Sequence, residues 1–189
     1  MAFTDILRSS RKHIHGVTRR FFLGLVAVLL PLIVYAQSIE YSVKASFIEK
    51  FARFTDWSAL PSDDYFVIDV LGESPFNGEL ETIAKKIKIK NRTVKINYID
   101  NYQDIKNCQL LFISASEKNR ISAIMKFIEH QNILAIADTP GFCKKGVHLN
   151  FYIDESETVK YEVNPAALKR SNLTVEMQLL SYGKIVQEK

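Results

Sequence analysis

The residues of this chain that could do chemistry are few and scattered. Of four histidines, His13 and His15 lie in a basic N-terminal stretch; His130 and His148 stand apart, without His, Cys or acidic partners at metal-ligand spacing. His130 reads as a helix-end cation. His148 sits between Val147 and Leu149, so strand alternation points it away from their face and makes it a solvated residue. Gly72-Glu73-Ser74-Pro75-Phe76-Asn77-Gly78 follows an apolar run, where a phosphate-binding turn would be placed. It lacks the spacing of the glycine-rich nucleotide loops, Pro75 removes an N–H donor, and Glu73 would repel phosphate. No G-x-S-x-G elbow is present, so no serine hydrolase is indicated. The expectation is no catalytic set, no metal and no cofactor.

Cys108 and Cys143 are the only cysteines. Cys108 precedes an apolar strand and Cys143 follows the next one. If those strands are parallel, the two cysteines lie toward opposite edges of the sheet. A bond between them, which needs Cα atoms within about 7 Å, then requires the 138–146 loop to fold back. Otherwise Cys108 is a buried thiol and Cys143 an exposed or intermolecular one.

The elements that must position these residues alternate in type. Val43, Phe47, Phe51 and Phe54 recur at helical spacing, predicting an amphipathic helix over Ser42–Phe54. Phe66–Leu71 predicts a strand, and Asn77 an N-cap for a helix carrying Leu80, Ile83, Ala84 and Ile87. Val94, Ile96 and Tyr98 alternate as a half-buried strand. Leu110–Ile113 is apolar on both faces, as a central parallel strand would be. Ser114 and Glu117 have capping-box spacing before the helical stripe Ile121, Ile124, Met125, Ile128. Leu134–Ala137 is a second buried strand. Val147–Ile153 and Val159–Val163 form a hairpin around Asp154–Glu157, Pro165 opens a helix, and Leu173, Met177 and Leu180 continue one. This order predicts an α/β fold, a single layered domain with a mixed β-sheet flanked by helices.

The N-terminus reads as an export signal. Arg8, Arg11, Lys12, Arg19 and Arg20 precede the uncharged run Phe21–Tyr35, and small residues close it. Cleavage is expected between Ala36 and Gln37. The run is shorter than the ~20 residues of a spanning helix, and Pro31 interrupts it, so no stable membrane anchor is expected after cleavage. Arg19-Arg20-Phe21-Phe22-Leu23 fits a twin-arginine signal; the Sec route stays open. Five of the 25 basic and one of the 21 acidic residues precede Gln37, leaving 20 of each beyond it. A neutral domain gives no electrostatic case for nucleic acid, and the run Lys85–Arg92 reads as a solvated helix end.

The chain from Tyr41 to Val186 resembles the YfiR-type periplasmic proteins. The resemblance is carried by Val43–Phe54 with Trp57 and Pro61, Val70-Leu71-Gly72 with Pro75-Phe76, and the cysteine-led strand Cys108–Ser114. Asp138, Phe142, Gly146, Asn150-Phe151, Val163-Asn164 and Leu173 with Leu179-Leu180 complete it. It implies a regulator rather than an enzyme: a protein that restrains the periplasmic sensor domain of a membrane-bound diguanylate cyclase, is redox-sensitive and tends to dimerise. Each cysteine here lacks the second, nearby cysteine of disulfide-stabilised members.

Most of the shared residues have structural readings. Phe51, Trp57 and Phe76 fit a core, Gly72 a turn, Cys108 a strand start, and Asn150 and Asn164 a cap or bridge at the hairpin. Tyr102 and Phe142, expected to be exposed in loops, are the candidates for partner contact. The alternative to a partner-restraining regulator is a small-ligand-binding module, with its ligand at the Gly72–Asn77 and Ser114–Glu117 turns.

Overall fold

The computed structural model describes residues 39–58, 60 and 63–187. The expected export signal, with its cleavage site between Ala36 and Gln37, lies outside the described residues.

A first helix, α1, covers residues 39–53. Its buried positions Ala45, Ile48, Phe51 and Ala52 recur three or four apart and form one stripe. After it come β1 (Thr55–Trp57), β2 (Tyr65–Leu71), α2 (Glu79–Ala84), β3 (Lys88–Ile89) and β4 (Arg92–Ile99). A 3-10 turn at Tyr102–Asp104 leads to β5 (Leu110–Ile113), α3 (Ile121–Ile128) and β6 (Leu134–Ala137). The chain ends with β7 (Leu149–Ile153), β8 (Val159–Val163), α4 (Pro165–Arg170), β9 (Leu173–Val175), α5 (Met177–Tyr182) and β10 (Lys184–Ile185).

Eight strands form one mixed sheet in the order β10-β8-β7-β6-β5-β2-β4-β3. The strands β4, β2, β5, β6 and β7 are mutually parallel, β3 runs against β4, and β8 runs against β7 but parallel to β10. The α/β architecture with a mixed sheet flanked by helices is the one the alternating pattern predicts. Counted along the chain, the parallel strands stand in the order 2-1-3-4-5 of a doubly wound sheet. The chain therefore leaves β2 in one direction and returns through β5 in the other. Their carboxyl ends form the switch point at which open α/β sheets hold ligands.

Alternation divides the apolar residues between two faces. Phe66, Ile68, Val70, Leu110, Phe112, Leu134 and Ile136 pack with α1, α2 and α4. Leu71, Leu111, Ile113, Ala135 and Ala137 pack with α3 and Phe142.

Three local expectations differ from the structure. Leu173 does not continue a helix: Leu173–Val175 pairs antiparallel with Thr55–Trp57 as a separate two-stranded sheet. Asn172, at φ 52, breaks the helix before it, and β-branched Thr174 and Val175 suit an extended chain with a partner waiting. Helix α2 is capped by Gly78 at φ 87 rather than by Asn77, and it ends before Ile87. Ser114 precedes a 3-10 turn over Ala115–Glu117 without capping it through its side chain, because its hydroxyl is engaged elsewhere.

Candidate functional site

The carboxyl ends of β2 and β5 meet at the Gly72 turn. Gly72 has φ +84, and its N–H donates to the Ile99 carbonyl at 2.9 Å. A Cβ on Gly72 would lie 2.3 Å from Ser116 Oγ and 2.7 Å from Ser114 Oγ, so both the backbone conformation and the close approach require glycine. The two serine hydroxyls bond each other at 2.7 Å, and the Glu73 N–H donates to Ser116 Oγ at 3.1 Å. Glu117 is buried, and both its carboxylate oxygens accept from the Arg120 guanidinium, at 2.8 and 2.7 Å. Arg120 also donates to the Asp100 carbonyl at 2.9 Å, and its hydrogen bond to Glu117 pushes its pKa up. The structure thus brings the Gly72 and Ser114–Glu117 turns together, but their polar groups satisfy one another.

A second polar cluster lies at the carboxyl end of β6. Asp138 Oδ2 accepts from Lys44 Nζ at 2.8 Å and from the Tyr41 hydroxyl at 2.9 Å. Lys44 also pairs with Glu40 at 2.6 Å and stands 4.3 Å from the centre of the Tyr41 ring. Burial, then the Asp138 charge, pushes the Tyr41 hydroxyl pKa well above its ordinary value. It therefore acts as a fixed donor. Helical spacing places Tyr41 and Lys44 on one side of α1, facing the strand end. The neighbouring Thr139 is buried, and its Oγ1 has no hydrogen-bond partner among the described residues.

The opposite end of β5 holds a buried acid beside a buried thiol. Asp69, central in β2, accepts from Asn97 Nδ2 at 2.9 Å. Burial pushes its pKa up, while bonds from Asn97 and Cys108 pull it back. Cys108 Sγ donates to the Leu110 carbonyl at 2.9 Å. Burial, followed by the Asp69 charge, raises the thiol pKa well above its usual range. Cys108 and Cys143 are not joined in a disulfide, and both are buried. Cys143 is thus not the exposed thiol expected for an unbridged chain: it sits in a 3-10 turn, Cys143–Lys145, that folds over the α3 face.

The other singled-out residues fall in different places. Phe51 packs edge-on to Tyr161 at 4.8 Å, Trp57 edge-on to Phe66 at 5.4 Å, and Phe76 edge-on to Phe112 at 4.7 Å. Asn164 accepts from the Ala167 N–H at 3.0 Å, capping α4, and donates to the Cys143 carbonyl at 2.8 Å. Asn150 is buried; its Nδ2 donates to the Phe151 carbonyl at 3.2 Å, and its Oδ1 has no partner among the described residues. Tyr102 is half-buried, edge-on to Phe127 at 5.4 Å.

Phe142 corrects an expectation. It is 1 % exposed because the Thr139–Gly146 turns tuck its ring against the Leu71–Ile113 face. His148 corrects another. It is also 1 % exposed, and its Nδ1 accepts from the Ala135 N–H at 2.8 Å while Nε2 meets Ser171 Oγ at 2.9 Å. Alternation did turn it from Leu149's face, but the second face is covered too. The clue was the helical stripe Ile121–Ile128, which needs a sheet face to pack on. Among the described residues no cluster of His, Cys, Asp and Glu could hold a metal ion.

Among solved structures, a conserved domain protein from Vibrio cholerae superposes with a TM-score of 0.52 at 9 % identity. The alignment covers 76 % of this chain and 60 % of that one, so this chain spans well under two thirds of that relative's length. It shows a shared fold. A Streptococcus pneumoniae ABC domain solved in complex with L-Trp gives a TM-score of 0.49 at 11 % identity, covering 64 % of this chain and 55 % of that one. No curated protein matches the sequence. One family model spans residues 41–184, from the α1 residue that bonds Asp138 to the start of the last strand, and the chain belongs to that family, the YfiR/HmsC-like proteins.

Proposed function

We propose that this is an exported regulatory protein that restrains the periplasmic sensor domain of a membrane-bound diguanylate cyclase or similar signalling enzyme. The observation that carries the reading is the family match over residues 41–184. Membership supports a regulatory role in cyclic di-GMP signalling. The geometry is in keeping with it. At the strand ends, where an enzyme of this topology would hold its substrate, Glu117 is clamped by Arg120 and Ser114 by Ser116. These groups stiffen a scaffold and present no nucleophile–base pair.

In this reading Met1–Ala36 is a signal removed on export, and residues 37–189 act as one domain beyond the membrane. No helix among the described residues is long and apolar enough to cross a membrane. The partner is an inner-membrane signalling protein, the active form is a homodimer, and Tyr102 belongs to the contact surface.

The test is capture of the tagged protein from solubilised membranes of its host, with cyclic di-GMP measured in the gene deletion. Capture of an inner-membrane protein with a cyclase output, and a rise in cyclic di-GMP on deletion, are expected. Unchanged cyclic di-GMP would remove the cyclase reading. The alternative, a small-ligand-binding module, gains nothing from the Gly72 turn, where Ser114, Ser116 and Glu117 crowd the glycine.

A further inference from the structure

At the other end of the sheet, beside the starts of β6 and β7, lies a groove of about 310 Å³. Three segments distant in sequence wall it: the last turn of α3, the Lys144–Gly146 turn and the end of α4. Each contributes positive charge, from Lys126, from Lys144 and Lys145, and from Arg170. Glu129 is the one acid in the lining, 3.9 Å from Arg170. Among the described residues no acid pairs with Lys126, Lys144 or Lys145. Bringing like charges together from three segments opposes folding and gives a high local potential for an anion.

A second, independent feature sits in the same lining. His148 and Ser171 are buried polar side chains bonded to each other at 2.9 Å. His148 Nδ1 accepts from the Ala135 N–H, so the neutral imidazole carries its proton on Nε2 and donates it to Ser171 Oγ. That fixes the serine oxygen as an acceptor toward histidine and leaves its own O–H to donate elsewhere. Both residues line the groove. The site thus combines mobile point charges at its rim with an oriented neutral donor inside.

We infer that this groove binds a small phosphate monoester. A dianion with three acceptor oxygens matches several cations and a hydroxyl donor better than a monocarboxylate does. The volume, near the lower end of the roughly 300–1,000 Å³ of small-molecule sites, limits the organic part to a few carbons or one ring. This inference stands apart from the cyclase reading, since it concerns binding alone and a site at the opposite end of the strands from the Gly72 turn.

The test is calorimetric titration of the purified protein with glycerol 3-phosphate, inorganic phosphate and citrate. Glycerol 3-phosphate is expected to bind, to weaken as NaCl is raised, and to lose at least tenfold in affinity in the Lys144→Gln/Lys145→Gln variant. Those lysines are exposed, so that variant should fold. Ser171→Ala, checked for folding by circular dichroism, should also bind more weakly. Inorganic phosphate binding as tightly as the monoester would support recognition of the phosphate itself. No binding of either phosphate, tighter binding of citrate, or unchanged affinity in the lysine variant would overturn the proposal. None of these outcomes bears on membrane capture or cyclic di-GMP, so the two readings fail separately.

Discussion

Lys44 Nζ of α1 lies 2.8 Å from Asp138 Oδ2 at the end of β6, with side-chain exposures of only 5 % and 6 %. Each charge has given up water for the other, and Tyr41 supplies a further hydrogen bond to the carboxylate. Removing the Asp138 charge leaves the buried Lys44 ammonium only the more exposed Glu40 as a counter-charge. Asp138→Asn is therefore expected to destabilise the protein by about 3 kcal/mol in urea denaturation. The double variant Lys44→Met/Asp138→Leu should recover a substantial part of that loss. Equal loss in single and double variants would mean that packing, not charge, sets the cost.

Gly72→Ala meets two separate penalties. The left-handed backbone costs about 1 kcal/mol, and the new methyl collides with Ser116 Oγ. The variant should lose more stability than strain alone predicts. Adding Ser116→Gly should restore the larger part of the collision and leave the Ser114 contact and the backbone part. A fully restored double variant would show that the φ of +84 is not strained for alanine here.

Phe142→Ala removes a wholly buried ring and should cost about 3–5 kcal/mol in thermal or chemical unfolding. Tyr102→Ala, at a half-buried position, should cost far less. The two variants are thus unequal probes of a partner surface. Weakened partner binding by Tyr102→Ala with an unchanged melting curve is the expected result, and unchanged affinity would remove Tyr102 from the contact.

The thiols should be silent in the native state. Both are buried, and the Cys108 pKa is raised, so little thiolate is present at neutral pH. A disulfide reagent should titrate two thiols in denaturant and react slowly without it. One thiol reacting within seconds in buffer would reveal an opening that this packing does not contain.

Asp69 makes stability depend on pH in a defined direction. Its folded pKa is raised, so the native state holds this proton more tightly than the unfolded chain does. The stabilisation is complete below the ordinary aspartate range and is lost as pH rises through the raised value. Asp69→Asn should flatten that part of the stability profile. A variant whose profile still parallels the wild type would place the dependence on another carboxyl.

Much of this architecture was legible because the relevant signals are local. The stripes at Ile121–Ile128 and the all-apolar Leu110–Ile113 each specify one element and its burial. Short strands were not legible. Thr55–Trp57 and Leu173–Val175 have three residues each and gain their strand character only from one another. His148 failed for a related reason: alternation assigns a face, but only the tertiary packing says whether that face is wet. The two strand-end clusters were readable as turns, yet the pairing of Lys44 with Asp138 joins residues nearly a hundred positions apart.

The small β1–β9 sheet also sets an order of events. Thr55 pairs with Val175, and the Glu176 N–H donates to the Phe54 carbonyl at 3.0 Å, so β1 is completed only by residues far along the chain from it. Contacts of such long sequence separation form late, because the intervening chain must first be confined. A growing chain that has not reached Leu173 leaves the end of α1 and all of β1 unsealed. Completion of the fold therefore waits on Leu173–Val175, and a chain truncated before β9 should stay open to chaperones.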